Sequence, residues 1–285
     1  MTTRPVLLTI VAMLAFAANS MLCRLALGHR LIDAASFASV RVISGAVTLA
    51  VILLVRHGGL TRPPANWRAV ISLFVYVAFF SFAYRSLSAG TGALILFGAV
   101  QLTMFIVALR QGEAFSLASW GGLAAAVLGL VYLVSPGVTA PDPLGAILMA
   151  VAGIAWGSYS LLGRRAGDPL AATAANFLFA VPLVVIVSLI FARDFSVSTE
   201  GLVLAIASGA VASGCGYVIW YAALAGLTAT RAATVQLSVP VIAAFGGVGL
   251  MGETVTARLV IASVATIGGV ATVLAQRAAR PVVVK

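Results

Sequence analysis

The sequence is poor in charge. Asp, Glu, Lys and Arg make up 8% of its 285 residues, against 62% hydrophobic residues, and the mean hydropathy is +1.15. A soluble domain carries about 25% charged residues, so this chain has too few to cover a water-facing surface, and the bilayer must be its solvent. Acids are the scarcest charges. All seven (Asp33, Glu113, Asp142, Asp168, Asp194, Glu200, Glu253) fall in loops or at the ends of apolar segments. No carboxylate or His lies mid-segment, where proton pumps and antiporters place their relays, so facilitated diffusion or exchange is expected. The two His (His29, His57) fall in predicted loops and the two Cys (Cys23, Cys215) in apolar segments, so no metal-ligand spacing exists. The Cys read as small buried hydrophobes. There is no Walker lysine and no G-x-G-x-x-G in a strand–helix context, so no nucleotide or other cofactor is expected. An embedded enzyme acting on lipid or lipid-linked sugar would need a cluster of acids, His or metal ligands, and none is present. The net charge of +10 sits in short loops and at the ends, where it suits lipid headgroups and not nucleic acid.

What the chain does have is a copy of itself. Shifted by 140 residues, Leu8–Arg24 lies over Leu148–Arg164 with seven of 17 positions identical, Ala12/Ala152, Ser20/Ser160 and Arg24/Arg164 among them. The same offset pairs Phe37 with Phe177, Gly112-Glu113 with Gly252-Glu253, and Gly129 with Gly269. Internal duplication of a hydrophobic chain is how many carriers build access from two sides.

A helix needs about 20 residues to cross the hydrocarbon core. With charges, Pro and Gly clusters as boundaries, ten spans are predicted: 5–27, 34–55, 67–86, 91–109, 117–134, 143–163, 170–192, 201–224, 230–250 and 257–276. Two repeats follow, 1–138 and 139–285. The Arg4, apolar run and Ala15-Phe16-Ala17 at the start resemble a cleavable signal. Because the segment recurs at 148–164, a retained first helix is expected instead. Placing the N-terminus in the cytoplasm puts eleven Lys and Arg inside and five outside, with Arg41 within a span, so both termini are expected to be cytoplasmic. Five spans per copy is an odd number, which forces the second copy to run opposite to the first. An inverted-topology repeat results, with Glu113 and Glu253 at opposite faces.

Polar and aromatic residues within spans are the candidate site, because each needs a partner or water. Phe16, Asn19, Ser20 and Cys23 share one face of the first helix, and Asn19 can bond a substrate amine or carboxylate or another helix. The third helix offers Tyr76 and Tyr84. The fourth offers Phe97, Gln101 and Met104. The sixth offers Trp156, Tyr159 and Ser160, and the eighth Tyr217, Trp220 and Tyr221. The ninth offers Gln236 and Ser238, with Pro240 leaving a carbonyl near 236 without its helical donor. Tyr84 and Tyr221 lie near span ends, where interfacial anchoring competes with a cavity role. Arg41 reads either as the counter-charge for a carboxylate or as a snorkelling, structural Arg. Glu113 and Glu253 read as helix caps and loop contacts. Gly153-x-x-x-Gly157, Gly121-Gly122 and Gly246-Gly247 allow close helix approach, and Gly90-Thr91-Gly92, between two spans, is the candidate hinge. Aromatic rings with a few polar groups suit an amphipathic solute such as an aromatic amino acid.

These motifs resemble the drug/metabolite transporter superfamily in its EamA branch. The resemblance is carried by Ala17-Ala18-Asn19-Ser20…Cys23-Arg24, Asp33…Phe37…Arg41…Gly45, Tyr84…Leu87 with Tyr221…Leu224, the two Gly-Glu pairs, and Gly129 with Gly268-Gly269. It covers nearly the whole chain and implies an all-α fold of ten transmembrane helices in two inverted five-helix repeats. Within the superfamily the chain is most similar to YddG-type exporters of aromatic and other amino acids. That implies a multi-pass carrier of the bacterial inner membrane whose partners are a small amphipathic metabolite and membrane lipids, and for which a monomer suffices. A multidrug or other metabolite exporter is the alternative. Two features depart from repeat symmetry: Pro240 has no Pro counterpart near Val100, and position 181, the mate of Arg41, is Val.

Overall fold

The computed structural model describes residues 3–57, 66–112, 114–163, 166–224, 227 and 229–278. They form α1 (Thr3–Gly28), α2 (Ala34–His57), α3 (Trp67–Ala83), α4 (Ala89–Arg110), α5 (Leu117–Val134), α6 (Pro143–Gly163), α7 (Pro169–Ile190), α8 (Thr199–Ile206), a π-helical segment (Ala207–Cys215), α9 (Gly216–Leu224), α10 (Ala229–Gln236), α11 (Ser238–Met251) and α12 (Ala257–Ala278). Among the described residues the only β pairing is a single bridge between Ile32 and Val197. α8, the π segment and α9 make one span, and α10 with α11 another. Among the described residues nine stretches are long and apolar enough to cross a membrane, and the 17-residue α3 is a tenth, shorter span. Large apolar side chains such as Leu7, Val47, Leu128, Ile186 and Val264 are exposed on the outer faces, as lipid contact requires.

Helices α2 to α8 start where the chain supplies a side-chain acceptor for their first free N–H groups. Asp33, Asn66, Ser88, Ser116, Asp142, Asp168 and Ser198 accept from backbone N–H groups two or three residues on. Three of the seven acids are therefore helix caps. The glycines of the two Gly-Glu pairs have a common cause. Gly112 follows α4 with φ +81° and Gly252 follows α11 with φ +64°, left-handed positions that end a helix and favour glycine. Glu113 lies outside the described residues.

Helix packing obeys the 140-residue offset. α6 packs on α3 and α4 as its repeat mate α1 packs on the π segment, α9 and α11. α2 packs on α7, and α5 on α12, each against its own mate. The rule reaches single residues. Gly122 meets the backbone of Gly269, and the equivalent pair, Ala262 and Gly129, is also in contact. Gly153 and Gly157 lie against Leu96, Ala99, Val100 and Thr103 of α4, where small residues let two backbones approach.

The structure corrects two expectations. Gly90-Thr91-Gly92 is no hinge between spans; it forms the first turn of α4. A Cβ on Gly92 would sit 2.5 Å from the Tyr84 ring, and one on Gly90 2.7 Å from Ala244, so close packing is why these are glycines. His57 ends α2 instead of lying in a loop.

Candidate functional site

The middle of the bundle is an aromatic cluster. Trp156 of α6 stacks on Tyr159 (centroids 5.6 Å apart) and on Tyr217 of α9 (5.2 Å), with Tyr76 of α3 at 4.8 Å. Phe16 of α1 sets its edge against Trp156, Tyr217 and Trp220 at 5.7–6.3 Å. Such edge and offset contacts are the favourable geometries for aromatic rings.

Two chambers meet at this cluster. A vestibule of about 400 Å³ is lined by Trp156, Tyr159, Ser160, Tyr217, Trp220, Tyr221 and Gln236, with Met104, Pro169 and Leu227 among its other walls. It lies where α6 and α9 end and α7 and α10 begin, the end of the bundle that also holds the N-terminus. Deeper in is an inner chamber of about 20 Å³, lined by Phe16, Asn19, Ser20, Tyr76, Phe80, Phe97, Ser213 and Tyr217 among others. Trp156 and Tyr217 belong to both linings, so their stacked rings form the partition.

Arg41 stands against the wall of the inner chamber and is fully buried. Its Nη2 donates to Tyr76 Oη (2.9 Å) and its Nε to Ser213 Oγ (3.2 Å), and its guanidinium lies 5.1 Å from the Tyr76 ring centre and 5.0 Å from that of Phe80. This overturns the snorkelling reading: no part of the side chain reaches the surface. The only ion pair among the described residues joins Arg24 to Glu253, so Arg41 has no carboxylate partner there.

The π segment explains how the eighth span reaches this wall. In an α-helix, residues five apart point in well-separated directions. Bonding from i to i+5 brings them towards one face. Ser213 thereby reaches Arg41 while Ser208 donates to Asn19 Oδ1 (2.7 Å), and Asn19 Nδ2 in turn donates to Tyr76 Oη (3.4 Å). Gly209 packs directly on the Arg41 carbonyl.

The opposite end of the bundle is cross-tied. Glu253 Oε1 accepts from Arg24 Nε and its Oε2 from the Ala89 N–H, both at 2.9 Å, while Arg24 Nη1 donates to the Tyr84 carbonyl (3.4 Å). One carboxylate thus joins the ends of α1, α3, α4 and α11. Ser86 donates to Asp142 (2.9 Å), the Ser196 N–H to Asp33 (3.2 Å), and Arg258 bonds the Ser135 carbonyl.

Of the residues singled out in the sequence, Phe16, Asn19, Ser20, Tyr76, Phe97, Trp156, Tyr159, Ser160, Tyr217, Tyr221 and Gln236 line the chambers, and Arg41 backs them. Three do not. Tyr84 is buried at the cross-tied end and donates to the Ala89 carbonyl. Gln101 is buried behind the vestibule wall and donates to the Ala233 carbonyl. Ser238 is exposed and donates to the Val235 carbonyl one turn back. Sequence reasoning missed Ser208, Ser213 and Phe80. The signal was the pair Ser208-Gly209 and Ser213-Gly214, small polar residues beside glycine in mid-span.

The comparisons agree with this geometry. A family model described as the EamA-like transporter family matches twice, at residues 3–135 and 143–275. An uncharacterized protein of Pseudomonas aeruginosa is 50% identical over 277 residues, spanning 97% of this chain and 96% of its own length. A crystal structure superposes with a TM-score of 0.70 at 18% identity, covering 97% of this chain and 100% of that one, a likeness of fold. Two family matches laid end to end, on ten spans among the described residues whose packing follows the 140-residue offset, identify this multi-pass membrane protein as a member of the EamA-like transporter family.

Proposed function

We propose that the chain carries small amphipathic metabolites, foremost amino acids including aromatic ones, across a bacterial inner membrane. The two repeats, 1–138 and 139–285, exchange conformations and open the central cavity first to one side and then to the other. The observation that carries this reading is an aromatic vestibule closed by the Trp156–Tyr217 partition, with a buried guanidinium, Arg41, held behind Tyr76 and Ser213 on the far side and in no ion pair among the described residues. Trp156, Tyr159, Tyr217, Trp220 and Tyr221 offer faces for an apolar or aromatic side chain. Ser160 and Gln236 bring polar side chains to the vestibule for an amine, and Arg41 brings the counter-charge for a carboxylate. With both termini cytoplasmic, the vestibule faces the cytoplasm, as loading for export requires. The pathway lies within one chain, so a monomer is sufficient. A multidrug exporter is the second reading, and the same observation weighs against its cationic substrates. A buried cation repels them, and the described spans hold no acid to offset it.

Counterflow tests the proposal. The purified chain in liposomes, with no ion gradient, is loaded with unlabelled phenylalanine, tryptophan, methionine or threonine and given labelled amino acid outside. Saturable accumulation is expected, fastest for the aromatic substrates. Folded protein that exchanges none of them would overturn the amino-acid assignment.

A further inference from the structure

A separate cavity of about 350 Å³ opens at the cross-tied end, between the end of α1, the start of α2, the end of α3 and the chain that follows α7. Ligand cavities begin at about 300 Å³, so a small molecule fits. One side of its wall is aromatic: the rings of Phe82 and Phe191 lie 5.0 Å apart. The other side is polar, with Arg30, Asp33, Arg85, Asp194 and Ser196.

Opposite charges line this cavity without pairing. The only ion pair among the described residues is Arg24–Glu253, so none joins Arg30 or Arg85 to Asp33 or Asp194. Neither guanidinium has a hydrogen-bond partner among the described residues. Asp33 is taken by backbone: its Oδ1 accepts from the Ser36 N–H and its Oδ2 from the Ser196 N–H. The Asp194 carboxylate has no such partner among the described residues. Two exposed cations and one uncommitted carboxylate therefore share a cavity with an aromatic wall. A guanidinium presents a planar fork of N–H groups that matches the two oxygens of a carboxylate or phosphate. Arg30 is also the only non-glycine residue among those described with a positive φ, 56°. That backbone state disfavours a side chain, and such residues cluster at ligand clamps. Position adds to this. The vestibule lies at the ends of α6 and α9 and the start of α7, whose repeat mates are α1, α3 and α2. The cavity thus stands at the cross-tied end where the vestibule stands at the other, and Arg85 follows Tyr84, whose carbonyl accepts from Arg24 of the tie.

We propose that this cavity binds a compact zwitterion. Arg30 and Arg85 take its anionic group, Asp194 its ammonium, and the Phe82–Phe191 wall whatever apolar part it carries. Two sources supply that chemistry: a free amino acid entering or leaving at the cross-tied end, and the ethanolamine phosphate headgroup of a membrane lipid. The first source rests on the function proposed above; the second does not.

The test is protection of a thiol placed in the cavity. Ser196 is exposed and lines it, and its backbone, not its hydroxyl, bonds Asp33. Ser196→Cys is made in the full-length chain with Cys23→Ala and Cys215→Ala, and its labelling by a maleimide is timed in detergent. Phenylalanine or phosphoethanolamine is expected to slow labelling several-fold and saturably. Phenylacetate, which lacks the ammonium, and phenethylamine, which lacks the anion, are not. Arg30→Gln and Arg85→Gln, at exposed positions, are each expected to require about tenfold more ligand, the loss of a charged hydrogen bond. Trp156→Ala, which disturbs the vestibule, is expected to leave protection intact. Protection by phenylalanine assigns the site to the free solute; protection by phosphoethanolamine and by no amino acid assigns it to the lipid headgroup. Protection lost in Trp156→Ala and unchanged in both Arg variants would be relayed from the vestibule, which overturns this site and leaves the transport reading standing. No protection by either zwitterion, or equal protection by phenylacetate and phenethylamine, would also overturn it.

Discussion

Trp156, like Tyr217, belongs to the linings of both chambers, and its ring meets those of Phe16, Tyr76, Tyr159 and Tyr217. Replacing it with Ala removes the stacks on Tyr159 and Tyr217 and is expected to slow counterflow about tenfold, the worth of one aromatic contact at about 1.4 kcal/mol. Loss of a buried Trp also costs about 3–5 kcal/mol of stability, so Trp156→Phe is the companion variant, with most of the rate retained. An unchanged rate in Trp156→Ala, from folded protein, would remove the partition from the transport path. Gln101 separates position from identity. It ties α4 to α10 and lines no chamber, so Gln101→Ala is expected to lower kcat with little change in KM. A large rise in KM would place Gln101 at the substrate instead.

The π segment and the glycine contacts belong to the scale of the element. Gly209 lies against Ser44 and the Arg41 carbonyl, so a methyl group there must push α2 and the eighth span apart. Gly209→Ala is expected to lower stability by about 1–3 kcal/mol, read as a fall in Tm. Gly121 has nothing within 4 Å of its Cβ position, so Gly121→Ala is expected to leave Tm unchanged or raise it slightly, as helix propensity predicts. Equal effects would mean that glycine serves these helices through backbone freedom and not through close approach.

Across the whole molecule, under the alternating access proposed above, the vestibule at one end and the ties at the other correspond to one access state. Glu253 holds four helix ends together. Opening that end must break its bonds, so Glu253→Gln is expected to shift the population towards the opposite state. Cys23, fully buried beside Arg24, reports the change. In a Cys215→Ala background, its labelling by a membrane-impermeant maleimide is expected to rise several-fold in Glu253→Gln. No rise would mean that the Arg24–Glu253 pair is a static strut.

Much of this was legible in the residues. Low charge and apolar runs determine a membrane protein, because too little polar surface exists for water. Spacing of Pro, Gly and charge determines about ten spans, and the 140-residue offset determines two copies. Asp33, Asp142 and Asp168 are placed at helix starts because caps act locally, within three residues. Tertiary structure alone decided which polar residues converge. In a soluble helix the apolar stripe marks the buried face, but here lipid and core are both apolar, so the sequence carries little record of each helix's rotation. Gln236 faces a chamber and Gln101 faces away; nothing in their surroundings in the chain distinguishes them. The eighth span reads as one helix, and only packing against α2 and α1 shows the π turn that carries Ser208 to Asn19 and Ser213 to Arg41. Arg24 and Glu253 stand 229 residues apart, and two helix ends meeting in space made them a pair.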